Sequence, residues 1–103
     1  MKYAALAFVF TAFSIGAAQA ATFEAEGKDN TVTIYYTTAK KEHCQVFNTF
    51  SYVFDGTRRT TTQECNADLK PGKHLEVCHI THSDISEPKI EAPVRIGACH
   101  DIK

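Results

Sequence analysis

Beyond its first twenty residues the sequence has no apolar run of membrane-spanning length and no block of like charge. It also lacks an Asn-x-Ser/Thr acceptor, a Gly-rich phosphate loop, a Walker sequence and a CxxC pair. Each absence removes a class of function. Without a phosphate-cradling loop or a paired redox thiol, nucleotide binding and thioredoxin-like chemistry are excluded. Without a basic excess, nothing points to a polyanion or nucleic-acid partner. The sequence is likewise poor in internal symmetry: aligning the segment from Cys44 to Cys65 with that from Cys78 to Cys99 matches little besides the cysteines, so a repeat is rejected.

Residues 1–20 read as an export signal. Lys2 gives a positive start, Tyr3 to Ala18 carries no charge, and Ala18-Gln19-Ala20 has the small-x-small form of a cleavage site. The apolar run is short and is followed at once by the polar segment Glu24 to Asn30, which argues against a membrane anchor. Cleavage before Ala21 leaves one domain, 21–103, with 10 basic and 12 acidic side chains. A domain so small buries a modest core and usually needs reinforcement. Cys44, Cys65, Cys78 and Cys99 supply it, because an even cysteine count in a short exported chain is read first as a disulfide framework. Three pairings are formally possible. Two equal loops favour Cys44 with Cys65 and Cys78 with Cys99, each bridge being worth roughly 3 kcal/mol on chain entropy.

Thr31 to Thr38 is the clearest strand, with Val32, Ile34 and Tyr36 on its inner face. Ala39 to Phe54 is harder. At about 100° per residue, Val46, Phe47, Phe50, Val53 and Phe54 fall in one arc with polar residues opposite, whereas strand alternation puts Phe47 and Val53 beside Gln45, Thr49 and Ser51. With Thr38 as N-cap and Gly56 at the end, the pattern predicts a helix over 39–54. Thr57 to Cys65 suits an edge strand, Asn66 to Lys73 a turn, His74 to Thr81 a strand, Ser83 to Pro88 a loop, and Val94 to Cys99 a last strand. The expected fold is α+β, a small antiparallel sheet with one packed helix. The alternative is an all-β sandwich in which a two-residue Asp55-Gly56 turn pairs positions summing to 111.

Three kinds of chemistry merit weighing. Strand alternation would put His74, Glu76, Cys78 and His82 on one face, with His79 and His100 as further imidazoles, which suggests a zinc or copper site. Same-face neighbours lie about 7 Å apart and the outermost about 27 Å, so they cannot all serve one ion, and Cys78 is expected to be oxidised. Acid–base catalysis would use His79 or His82 with Glu64 or Glu76 and an arginine. Ile80-Thr81-His82 echoes the strand bearing a catalytic histidine in small fungal ribonucleases, but three residues do not make a resemblance, and the accompanying Glu, Arg and Tyr spacing is missing. Ser83 and Asp84 lack a nucleophile elbow. The third kind is binding: Arg58-Arg59, beside Lys40-Lys41, forms a basic cluster, and Tyr35 and Tyr52 face away from the expected core as candidate contact aromatics. Both basic pairs are also potential dibasic processing sites.

In size, export and cysteine content the chain is similar to the small secreted effectors, toxins and inhibitors of microbes. The expectation is a monomer, secreted or periplasmic, that binds an extracellular or periplasmic protein or glycan through Arg58, Arg59, Tyr35 and Tyr52. It would need no catalysis, no metal or other cofactor, no nucleic acid and no membrane anchor. The alternatives are a histidine-based metal binder and a ribonuclease-like hydrolase. Intact-mass spectrometry of the exported protein is expected to show a chain starting at Ala21 and four hydrogens lighter than its reduced form; free thiols would refute the framework.

Overall fold

The computed structural model describes residues 21–102; the expected leader, 1–20, lies outside them. Every regular element among the described residues is a strand: β1 Thr22–Lys28, β2 Thr31–Thr38, β3 Glu42–Phe54, β4 Thr57–Leu69, β5 Gly72–Thr81, β6 Lys89–Ile90 and β7 Arg95–Asp101. One antiparallel sheet has the order β1-β2-β5. The other has β4-β3-β6, with β7 also pairing β3. Their inner faces share a core, so the fold is the all-β alternative and the predicted α+β packing is corrected.

The expected helix over 39–54 is strand β3, and the reason lies in its side chains. Glu42, Cys44, Val46, Asn48 and Phe50 are buried in strict alternation. Two of them, Glu42 and Asn48, are polar, which weakens the period-2 signal on the inner face. On the outer face Phe47 is apolar but covered, its ring lying 4.4 Å beneath the Arg95 guanidinium. An apolar outer position and polar inner ones together mimic a helical arc. Thr38 does cap backbone locally, but in a turn: its hydroxyl accepts weakly from Lys40 N at 3.4 Å and donates to Glu42 Oε2 at 2.8 Å.

Asp55 and Gly56, at φ 54° and 76°, make the two-residue hairpin turn that such strand-flanked Asp-Gly pairs favour. The resulting register runs from Phe54↔Thr57 to Glu42↔Leu69, the sum of 111 that this turn dictates. The expected turn over Asn66 to Lys73 is correspondingly shorter, since β4 continues to Leu69 and only Lys70 and Pro71 separate it from β5. β1 is not among the strands expected from the sequence; it is held by Phe23↔Tyr36 and Ala25↔Ile34 pairing. Val32, Ile34 and Tyr36 do form the inner face of β2.

The cysteine pairing also differs from the expected one. Cys44 bonds Cys99, its register partner on β7, at a Cα–Cα distance of 4.1 Å. Cys65 bonds Cys78 across the sandwich, from β4 to β5, at 6.5 Å. In the hairpin register Cys44 opposes Ala67 and Cys65 opposes Val46, so the two cysteines are diagonal neighbours that turn to other strands. Chain entropy assigns about 3 kcal/mol to the 13-residue link and about 4 kcal/mol to the 55-residue one. The end of β7 is further tied by Lys40 Nζ to Asp101 at 2.9 Å. That hydrogen-bonded carboxylate raises the lysine pKa above its ordinary 10.5. A raised lysine pKa means that the contact contributes fully below 10.5 and is lost only as pH rises through the folded-state value.

The core has two apolar clusters, one around Ile34, Tyr36, Cys44, Val46, Cys65 and Leu69, the other around Val32, Phe50 and Ile85. Between Val46 and Phe50 stands Asn48, fully buried, whose Nδ2 donates to Gln63 Oε1 at 3.0 Å. Gln63 Nε2 in turn donates to Val32 O at 3.3 Å, so this polar pair links the two sheets. Asn48 Oδ1 has no partner. An unsatisfied buried group costs about 1–3 kcal/mol. Gln63→Leu alone is therefore expected to lose about that much by baring Asn48 Nδ2, whereas Asn48→Leu with Gln63→Leu recovers most of it; urea unfolding of the parent and the two variants measures the difference.

Candidate binding site

β4 and β5 are edge strands of opposite sheets and lie on the same side of the sandwich. The Cys65–Cys78 bond spans the seam between them. From that bond the seam opens toward the β3–β4 hairpin. One cavity of about 530 Å³ lies against Gln63, Glu64, Cys65, Cys78, His79 and Ile80. A second, of about 250 Å³, lies against Phe50, Tyr52, Thr61, Ile80, His82, Asp84 and Ile85. Ile80 borders both and is 40% exposed, whereas its register partner Val32 is buried. The result is a groove between two strand edges that pair with no further strand, apolar where Phe50, Tyr52, Ile80 and Ile85 meet and otherwise polar, with Glu64 and Asp84 among its lining.

Hairpin register settles where the expected contact residues fall. Inner-facing positions of β3 pair with inner-facing positions of β4, so Tyr52 sits opposite Arg59 and Val53 opposite Arg58. The two arginines consequently point to opposite faces. Arg59 lies 5.0 Å over the Phe54 ring, on the face that Tyr52 shares with the groove. Arg58 Nη1 donates to Ser51 Oγ at 2.9 Å on the outer face, and Ser51 also bonds Glu91. Thr57 to Thr62 are all exposed, because the hairpin runs past the end of the facing sheet. Tyr35 is elsewhere: it stacks on His74, ring centroids 4.1 Å apart, on the outer face of the other sheet. Three of the four expected binding residues therefore come together on one hairpin, two of them on its groove face.

The expected histidine face does not form. Backbone irregularity between Ile34 and Tyr35 shifts the β2–β5 register, so Glu76 and His79 both face outward, Nδ1 to Oε2 at 2.6 Å, while Cys78 turns inward to its disulfide. His74 has φ 50° and pairs with Glu24 at 2.8 Å. His82 sits in the loop beyond β5, where Asp84 N donates to its Nδ1 at 3.0 Å. His100 belongs to β7 in the opposite sheet. Among the described residues, only Glu42, Cys44 and Cys99 bring three potential ligand atoms within 4.8 Å, and two of these are joined sulfurs. A thiolate site is thereby closed to metal. His79 and Glu76 form a hydrogen-bonded pair, Nδ1 to Oε2 at 2.6 Å, exposed on a sheet face; His79 borders the larger cavity, which no arginine lines.

Sequence reasoning missed Phe54, Ile80 and Ile85 as site residues. Phe54 and Ile80 carried a signal, being apolar residues next to turns; Phe54 is half-buried and Ile80 40% exposed. Comparison with protein-family models, curated proteins and solved structures finds no match. The two disulfides fit an oxidising, extracellular-type environment, and no helix among the described residues is long and apolar enough to cross a membrane. The hairpin geometry depends on Gly56, where an added Cβ meets no atom but φ is positive. Gly56→Ala is thus expected to cost about 1 kcal/mol through the backbone alone, read by urea unfolding, with both disulfides retained.

Proposed function

We propose that this is an exported, disulfide-braced monomer that acts by binding, without catalysis, and that its ligand is an extended segment of another exported protein. The segment lies in the groove between β4 and β5. The observation that carries this reading is the groove itself: an apolar floor at Ile80, Phe50 and Tyr52, unpaired strand edges on both sides, and Arg59 at its hairpin end. Free strand edges recognise extended chains through their backbone groups, while pockets between them take alternate side chains. Ile80 and Tyr52 would receive an apolar side chain. Arg59 would receive a carboxylate at the hairpin end.

Charged residues on an edge strand also discourage pairing between copies of the same protein. That protective role and selective binding are compatible, since both follow from the repulsion of basic partners. Buried aromatic and arginine contacts dominate interface energies, so Tyr52→Ala and Arg59→Ala are each expected to weaken binding at least tenfold without altering the fold.

A photo-crosslinking side chain placed at Ile80, and separately at Thr33 on the outer face of β2, tests the proposal in the protein's own compartment. The expected result is a protein adduct from position 80, lost when Arg59→Glu is added, and none from position 33. Adducts from position 33 alone, or from neither position, would overturn it.

A further inference from the structure

Two of the five histidines meet, and neither belongs to the groove. On the outer face of the larger sheet, His43 of β3 lies between its register partners, Asp68 on β4 and His100 on β7. Three adjacent strands thus set Asp68, His43 and His100 in one row. Asp68 Oδ1 is 2.6 Å from His43 Nδ1. An ionised carboxylate only accepts, so His43 donates through Nδ1, which in the neutral ring leaves the Nε2 lone pair free for a metal ion. On the other side the His100 ring lies with its centroid 5.3 Å from that of His43, tilted by 32°.

That separation is what shared coordination requires. With metal–nitrogen bonds of about 2.0–2.1 Å, two imidazoles on one ion hold their centroids about 4.5 Å apart in a square plane and about 5.2 Å apart in a tetrahedron. The row is also pre-set. Cys44–Cys99 is the register pair immediately beside His43 and His100, so a covalent bond fixes β7 against β3 next to the two rings. Neither strand can slip and carry its imidazole to the other face.

We propose that His43 and His100 form a two-imidazole site for a divalent transition ion, with Asp68 orienting His43 from behind. A histidine held through its second nitrogen by a carboxylate is the usual support of a metal ligand, and its loss weakens metal binding by about 10–100-fold. The affinity order for nitrogen donors makes Cu²⁺ the preferred ion and Zn²⁺ a weaker competitor. Both imidazoles are solvent-accessible, the His43 side chain being 37% exposed, so the remaining coordination positions are open to water.

The other three histidines serve as internal controls. His74, His79 and His82 each have a carboxylate neighbour, Glu24, Glu76 and Asp84 respectively. Among the described residues, none of them lies against a second imidazole.

The test is titration of the oxidised protein with Cu²⁺, followed by calorimetry and electron paramagnetic resonance, with Zn²⁺ as competitor. The expected result is one tight site with coupling to two imidazole nitrogens, displaced by excess Zn²⁺. His43→Asn and His100→Asn should each weaken it at least tenfold and remove one nitrogen from the spectrum. Asp68→Asn should weaken it about tenfold while keeping both nitrogens, and His79→Asn should leave it unchanged. All four positions are on the outer sheet faces, and urea unfolding without metal confirms that each variant folds. Cu²⁺ binding that survives His100→Asn at full affinity, or that falls equally with His79→Asn, would overturn the site in favour of scattered single-histidine binding. The groove's occupant plays no part in this measurement.

Discussion

The Cys65–Cys78 bond is the constraint on which the arrangement turns. It joins the edges of two sheets that exchange no strand pairing on that side, and it fixes how far apart β4 and β5 stand. Toward one end the two apolar faces close on each other around Ile34, Val46 and Leu69. Toward the other, Val32, Phe50 and Ile85 close a second cluster, and beyond it the hairpin carrying Phe54 and Arg59 is exposed. A domain of this size has too little apolar surface to close both ends by burial alone. The groove is therefore what remains when a covalent bond, rather than a continuous core, sets the spacing of the layers.

How much of this the sequence could reveal depended on whether the determining contacts were local. β2 was readable because Val32, Ile34 and Tyr36 alternate cleanly with threonines and face one way. The β3–β4 register was readable as an alternative from Asp55-Gly56, because a two-residue turn fixes pairing along the whole hairpin. The identity of β3 as a strand was not, because Asn48 and Glu42 point inward and Phe47 outward, each stabilised by a neighbour from another part of the chain. Asn48 relies on Gln63, Glu42 on Thr38, and Phe47 on Arg95. The cysteine pairing failed for the same reason: nothing near Cys44 announces that β7 will dock beside β3.

The candidate site shows the same division. Arg58, Arg59 and Tyr52 could be named from composition, and their assembly on one hairpin follows from its turn. Tyr35 could not be separated from Tyr52, because both look like outward strand positions until the sheets are known. The histidine row was hidden more deeply. Its members come from three strands, and the segment richest in histidine, His74 to His82, drew attention to a face that the register shift in β5 dismantles. Spacing along one strand is a poor guide to metal geometry in a sheet, where neighbours across strands are closer than same-face neighbours along them.

Nesting of the two disulfides has a further consequence. Residues 44 to 99 form a covalent ring, and residues 65 to 78 form a smaller ring inside it. The exposed hairpin tip at Asp55-Gly56, the Arg58-Arg59 pair and the loop before β6 all lie on the outer ring. A protease that cuts once at any of them opens a circle instead of releasing a fragment. The severed ends stay tethered through sulfur, and the strands on either side keep their register partners. Such a chain can be nicked in its most accessible places and remain one molecule until it meets a reductant.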